Sequence, residues 1–444
     1  MNAERLPIMP AAALLLGAMS LWPLSTSAAT PDSPAAFLAA ARSRAAALPA
    51  SNGACGPAEA GANGLVTTDP RAMQVEGEAG GTTGGLGRPL YLVTSTEDPE
   101  GVRSRPVPGT LRAAVEAARR GGGWIGFDPS LNGKTLHLST PLRVPSDTTI
   151  DGGCGGVTIS AAPRVTSFLV VNASNVVIRG LHFTKDAYVD NVDRANDAIG
   201  LTGRFDRVAI LHNAFFRCGD GCLDIVPKDP GNSPSRVTVA FNHFADHNKV
   251  MLIGTLTCYV DRAAPGCDDP LGNLSGTMAP FLRVTLQGNL FESTAQRQPK
   301  VVSNAFVHSV NNVIVLGATR YPDGRNSAVY AGAAASGGIL AAEGDVVVNP
   351  TGRPRYGAGP VSALRGGDDE GRETDGAVAV RGNVGIGPVR MQEHRPEIAR
   401  ALRSDAVGAL DASADPLGLA ACVLRMAGPG GVALSRPESC RADR

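Results

Sequence analysis

Three carboxylates and two cations stand at the edges of short apolar segments in the middle of the chain: Asp197, Asp220 and Asp224, then Lys249 and Arg297. Taken singly, an aspartate of this kind is commonplace in turns, and a lysine or arginine is usually a solvated surface residue. Their chemistry depends on whether the fold stacks them. If the three acids precede or open strands on successive coils, they meet on one exterior face, and three ionised carboxylates side by side need a cation. Calcium suits that need, because it accepts roughly six to eight irregular oxygen ligands, some of them from water or an acidic substrate. Lys249 follows His247 on the next coil and Arg297 precedes Pro299 on the one after, so both would border the same groove. Two cations beside such a cluster would clamp the carboxylates of an anionic ligand.

The elements that must position these residues are strands. The segments Asn175-Val176-Val177-Ile178-Arg179, Arg207-Val208-Ala209-Ile210-Leu211, Arg236-Val237-Thr238-Val239-Ala240 and Arg283-Val284-Thr285-Leu286-Gln287 are short, β-branched and separated by polar turns. Three of them lead into Asn213-Ala214-Phe215, Asn242-His243-Phe244 and Asn289-Leu290-Phe291, with an echo at Asn312-Val313-Ile314. A strand, an Asn and an apolar residue recurring at intervals of a few tens of residues predict stacked coils with variable loops. Each coil is expected to turn at its Asn, in a left-handed conformation, with that side chain bonded to the Asn of the next coil and the Phe residues stacked inside.

Lys plus Arg and Asp plus Glu both total 41, so no overall field argues for nucleic acid or for an anionic polymer. Any anionic ligand must be held locally. The uncharged run Ala11 to Leu24 and the small residues Ser25 to Ala29 read as an export signal over residues 1–29. No later segment approaches the roughly 20 apolar residues of a membrane helix, so an exported, membrane-free protein is expected. Eight cysteines then imply disulfides, with Cys258–Cys267 and Cys422–Cys440 the pairs that proximity suggests; Cys218 and Cys222 flank a short turn and could also join, which would leave Cys55 with Cys154, a connectivity that spacing alone does not settle.

The ordered motifs carry a resemblance. Gly80 to Gly85, Tyr91-Leu92-Val93-Thr94, Pro108-Gly109-Thr110-Leu111-Arg112 and Thr149-Ile150-Asp151-Gly152 come first; Asn196-Asp197-Ala198-Ile199, Asp220-Gly221-Cys222-Leu223-Asp224 and His247 to Gly254 follow; Arg297-Gln298-Pro299 and His308 to Asn312 come last. Over roughly residues 75 to 350 the chain resembles the pectate lyases of polysaccharide lyase family one. The resemblance implies an all-β, right-handed parallel β-helix and calcium-dependent β-elimination on polygalacturonate. It implies Asp197, Asp220 and Asp224 as calcium ligands and Arg297 as the base that takes the C5 proton of the sugar. Lys249 would bind and neutralise the uronate carboxylate, with His247 beside it. An arginine base is chemically awkward because guanidinium stays protonated; neighbouring positive charge favours its neutral form, which predicts an alkaline optimum.

One departure is visible: where the family often carries a second substrate-binding Arg, this chain has Val302, and Lys300 is the nearest cation to replace it as a point charge. His212, His247 and His308 read as structural hydrogen-bonding residues rather than acids or bases. A pectin lyase on methylated polymer is disfavoured by the retained charge cluster, and no Gly-x-Ser-x-Gly elbow supports a serine hydrolase. A non-catalytic polysaccharide-binding solenoid is the reading from another class.

The expected organisation is a cap segment over 30–74 with an Ala-rich helix from Pro34 to Leu48, β-helix over 75–350, and a C-terminal extension over 351–444 with a helix from Pro396 to Leu410. A disulfide-pinned insertion is expected from Thr255 to Pro280, and a monomer overall.

Overall fold

A computed structural model describes residues 30–31, 33–48, 58–69, 74–99, 106–162, 165, 167–185, 197–227, 235–256, 281–317, 329–350, 361–366, 376–402 and 412–429. The expected export signal, most of the Thr255 to Pro280 insertion and the second half of the Pro396 to Leu410 segment lie outside them.

The repeated segments form three sheets that run the length of a solenoid, of 11, 9 and 9 strands. A coil visits each sheet in turn: 206–211 lies in the first, 214–216 in the second and 223–226 in the third. The next coil does the same with 235–240, 243–249 and 252–253. Neighbouring coils pair in parallel, as Val208 with Val237 and Val237 with Val284, with register shifts only at Glu292–Thr294 and Ser362–Leu364 among the described strands. Alternate residues point inward, so Val208, Ile210, Val237, Val239, Val284 and Leu286 share one core with Phe215, Phe244 and Phe291. This is the parallel β-helix that the strand repeat predicts.

Two internal ladders hold the register. Phe183, Phe215, Phe244 and Phe291 stack face to face with ring centroids 4.9, 4.7 and 5.0 Å apart. Beside them, Asn242 Oδ1 accepts from Asn213 N (2.9 Å) and Nδ2 (3.1 Å), and Asn289 Oδ1 accepts likewise from Asn242 (3.0 and 3.1 Å). Asn312 receives Asn289 in the same way (2.8 and 3.0 Å). The backbone differs from expectation in one respect. The left-handed residue is the one before the ladder position: His212 (φ 52°), Phe241 (φ 55°), Gly288 (φ 61°) and Asn311 (φ 55°). The chain thus changes direction one residue early, which leaves the amide directed along the stack.

The ladder's next rung is an acid. Asp345 Oδ1 accepts from Asn312 N (2.7 Å) and Nδ2 (3.0 Å), Oδ2 accepts from Ser309 Oγ (2.7 Å), and the residue is fully buried. Burial pushes its carboxyl up from 3.8 to about 6, despite the hydrogen bonds from Asn312 and Ser309 that favour the anion. The sign follows from linkage: the folded state holds this proton more tightly than the unfolded state, so the residue weakens the fold above pH 6, and stability is recovered as pH falls from about 6 towards 4. An Asp345→Asn variant should be more stable at pH 8 by on the order of 1–3 kcal/mol and should lack that slope. Denaturant melts at pH 8 and pH 4.5 check this; equal stability of the two proteins at pH 8 would contradict it.

The ends and flanks refine the expected boundaries. The coils continue past residue 350 through strands 361–366, 377–381, 384–386 and 389–391, because Val346, Val378 and Ile386 prolong the same alternation of inward and outward faces. The helix at Pro34–Ala47 (α1) forms, with Ser33 as its N-cap. It lies on the flank instead of plugging the end. Phe37 and Ala41 pack on Leu290, Val313, Val315, Val346 and Val348, the outward residues of the second sheet, together with a C-terminal helix. Those strands are apolar on both faces, so the outer face also needs a cover.

The helix that caps the N-terminal end of the core is Leu111–Ala118 (α2), whose Leu111, Ala114, Val115 and Ala118 enter the main core against the first strands. Thr110 caps it by accepting from Ala113 N–H (3.2 Å). The preceding Gly109 is left-handed (φ 85°), and a side chain there would meet Thr94 Oγ1 at 2.5 Å. Helix α3, Pro396–Leu402, lies on the outer face of the first sheet, and α4, Pro416–Met426, is the partner of α1. Among the described residues no helix is long and apolar enough to cross a membrane.

The Gly80 to Gly85 motif belongs to a strap across the outside of the first sheet. Amides of the strap are taken up by separate strands of that sheet as it crosses them: Ala79 by Thr238 Oγ1 (3.1 Å), Gly84 by Asn175 Oδ1 (3.0 Å) and Gly85 by Thr149 Oγ1 (2.9 Å).

Candidate active site

Asp197 opens the third-sheet strand 197–202, and Asp224 lies on the neighbouring strand 223–226, where it pairs with Gly200. Asp220 occupies the turn leading into that strand. The glycine between the two later acids is what lets the carboxylates approach. Gly221 N–H donates to Asp197 Oδ1 (3.0 Å), and a side chain at Gly221 would stand 2.6 Å from Asp224 Oδ1 and 2.9 Å from Asp197 Oδ1. Asp224 Oδ1 also accepts from Leu252 N–H of the next coil (2.9 Å).

The electrostatics bear the mark of crowding. Burial raises the Asp197 carboxyl well above its ordinary range, Asp224 and Asp220 raise it further, and the Gly221 amide and Lys185 offset part of this. Burial likewise takes Asp224 up to about 6, against the Leu252 amide and the positive charge of Arg297. Two of the three acids therefore resist ionisation while no cation is present.

Lys249 ends the second-sheet strand 243–249 and places Nζ 3.3 Å from Asp220 Oδ1. Arg297 follows the next strand of that sheet, 290–296, and is half-buried in a left-handed backbone (φ 66°). Its carbonyl is fixed by Met251 N–H (2.8 Å). The side chain's charge reaches Asp224. The three acids, Lys249 and Arg297 thus come together at the passage from the second sheet to the third.

The donor set is all oxygen, as a hard cation requires. It is not a closed cage: among the described residues no three acidic, His or Cys side chains surround one point at ligand distance. Asp197 and Asp224 converge over Gly221, whereas Asp220 is turned to Lys249. Such an arrangement fits calcium with part of its shell open to other ligands.

Other expected site residues sit differently. His247 is fully buried and donates from Nε2 to the Asp220 carbonyl (2.7 Å), so it braces the Asp220 turn instead of lining the groove. Lys300 is 1% exposed on the short strand 300–301, and Val302 is fully buried with its N–H on the Ile253 carbonyl (2.8 Å). Enclosure at this point keeps Lys300 from standing in for a second groove-side arginine. Lys185, which the sequence reading passed over, is buried with Nζ on the Val165 carbonyl (3.1 Å), and its charge reaches Asp197. Nothing in the local sequence marks it, since only the coil stack places it near an acid.

Cys218 and Cys222 are joined, and Cys154 and Cys422 are disulfide-bonded. Their expected partners Cys55 and Cys440, and the pair Cys258 and Cys267, lie outside the described residues.

A family-wide sequence profile described as pectate lyase matches residues 136–330, which contain all five of these charged residues. Among similar proteins, pectate lyase 1 of Hesperocyparis arizonica is 31% identical over 253 residues, covering 54% of this chain and 60% of that protein. A probable pectate lyase 9 of Arabidopsis thaliana is 30% identical over 243 residues, covering 52% and 46%. The chain thus spans about half to 60% of the length of these relatives. The crystal structure of jun a 1, the major allergen from cedar pollen, superposes with a TM-score of 0.52 at 23% identity over 78% of this chain and 92% of that one, a likeness of fold.

Proposed function

We propose that this chain, whose residues 136–330 match the pectate lyase profile, is an exported pectate lyase that cleaves α-1,4-linked polygalacturonate by calcium-dependent β-elimination. The observation that carries this reading is the convergence of Asp197 and Asp224 over Gly221, with Asp220, Lys249 and Arg297 alongside. Asp197, Asp220 and Asp224 would hold the calcium. When bound, that ion offsets the carboxylates' mutual repulsion and draws a uronate carboxylate into the site, which acidifies the adjacent C5 proton.

The chain's own residues account for the remaining work. Lys249 gives a point charge to the same substrate carboxylate, where negative charge grows as the C5–H bond breaks. Arg297, held by its carbonyl and its left-handed backbone, takes the C5 proton in its neutral form. The electrons of that bond form the C4–C5 double bond as the C4–O bond to the leaving sugar breaks. Arg297 must be neutral to accept that proton, so activity should climb with alkaline pH.

Incubation with polygalacturonate, with and without chelator, tests the reading. Unsaturated, ultraviolet-absorbing products that vanish in chelator are expected. Reducing ends without unsaturation would mean hydrolysis, undiminished turnover in excess chelator would remove calcium from the scheme, and binding without either product would mean a non-catalytic solenoid.

A further inference from the structure

Cys218 and Cys222 are both fully buried, and their disulfide closes a small ring around Gly219, Asp220 and Gly221. Two of the three enclosed residues are glycines, and Gly219 has φ 124°, so an open turn of this composition would sample many backbone states. That freedom would sit at a sensitive place. The turn carries the Asp220 carboxylate, which faces Lys249, and the Gly221 N–H that holds Asp197. Its far end is tied to the next coil by Cys222 N–H on the Val250 carbonyl (2.9 Å), and its middle by His247 Nε2 on the Asp220 carbonyl (2.7 Å).

We infer that the Cys218–Cys222 disulfide, seconded by His247, is a positioning device that holds the Asp220–Gly221 turn in its cation-binding conformation before the cation arrives. The inference rests on the calcium reading above. Its physical basis is preorganisation: a ring that restricts the unliganded turn removes ordering that a bound ion would otherwise have to impose. The disulfide and His247 are fully buried, away from solvent and any bound sugar, so the signature is a change in calcium affinity without a matching loss of kcat at saturating calcium. His247 acts on this turn through its Nε2 hydrogen bond to the Asp220 carbonyl, so a Gln that restores a donor should work better than an Ala.

The test compares the wild-type chain with a Cys218→Ala/Cys222→Ala double variant. Calorimetric titration with calcium alone should show affinity lower by about tenfold, with kcat at saturating calcium within about threefold of wild type. In chelator, the Gly221 amide should exchange with deuterium faster in the double variant. His247→Ala should shift both readouts in the same direction and His247→Gln should recover part of the shift; this pair decides the matter if the double variant does not fold. Unchanged calcium affinity in the variants overturns the proposal. If the wild-type chain itself binds no calcium, the calcium reading fails, and Gly221 exchange then judges the device: faster exchange retains it and equal exchange overturns it.

Discussion

An Arg297→Lys enzyme is expected to keep calcium and substrate binding while kcat falls by about 10²- to 10⁴-fold, the scale of losing a general base. Lysine preserves a positive charge near Asp224, whose carboxyl is raised by burial and only partly brought down by the Leu252 amide and the charge at Arg297, so the calcium site should survive the change. What disappears is the guanidinium geometry set by the left-handed backbone at φ 66° and the Met251 N–H on the Arg297 carbonyl. A Lys249→Ala enzyme should behave otherwise. It loses charge facing the substrate carboxylate in ground and transition states alike, so KM rises as kcat falls. Steady-state kinetics across pH, with substrate binding measured separately, distinguish the two roles. Near-native kcat in Arg297→Lys would place the proton elsewhere.

Gly221→Ala should weaken calcium binding by roughly 10- to 100-fold while barely moving the melting temperature in chelator, an effect of the size seen when groups that orient metal ligands are disturbed. The added methyl would lie 2.6 Å from Asp224 Oδ1 and 2.9 Å from Asp197 Oδ1, far inside contact distance. Both are ends of side chains, so they can swing away at little cost to the fold. Swinging away is what dismantles the site. Gly221 has no left-handed backbone to lose, which separates this steric effect from the conformational cost of replacing a turn glycine. Calcium titration of the variant, paired with melting in chelator, reads the two quantities independently; unchanged affinity would mean that the two carboxylates do not act together on the ion.

The stacking of coils was legible along the chain. Alternation in Arg207 to Leu211, Arg236 to Ala240 and Arg283 to Gln287 leaves a one-residue register shift no way to keep Val208, Val237 and Val284 inside, and the ladder of Asn213, Asn242, Asn289 and Asn312 pins the same register. Periodicity is a local property, so it is legible along one dimension. Motif order likewise marked Asp197, Asp220, Asp224, Lys249 and Arg297 as one group.

Which side chains are accessible, and what each one touches, emerges only once the coils are stacked. Lys300 reads as a groove cation because it is the nearest charge to Val302, yet it is enclosed, since burial depends on neighbouring coils and loops; His247, set beside the uronate by the motif, instead makes the structural hydrogen bond also expected of it. The helix at 34–47 was visible as a helix, but its seat on Val313, Val315, Val346 and Val348 depends on an apolar outer face assembled from separate coils. Coils beyond residue 350 escaped notice because those strands lack the Phe marker and Asp345 interrupts the Asn series before Asn383 resumes it. Lys185 and Gly221 gain their meaning only when stacking brings the Asp197 and Asp224 strands side by side, for an electrostatic or steric contact between distant residues has no signature in either segment alone.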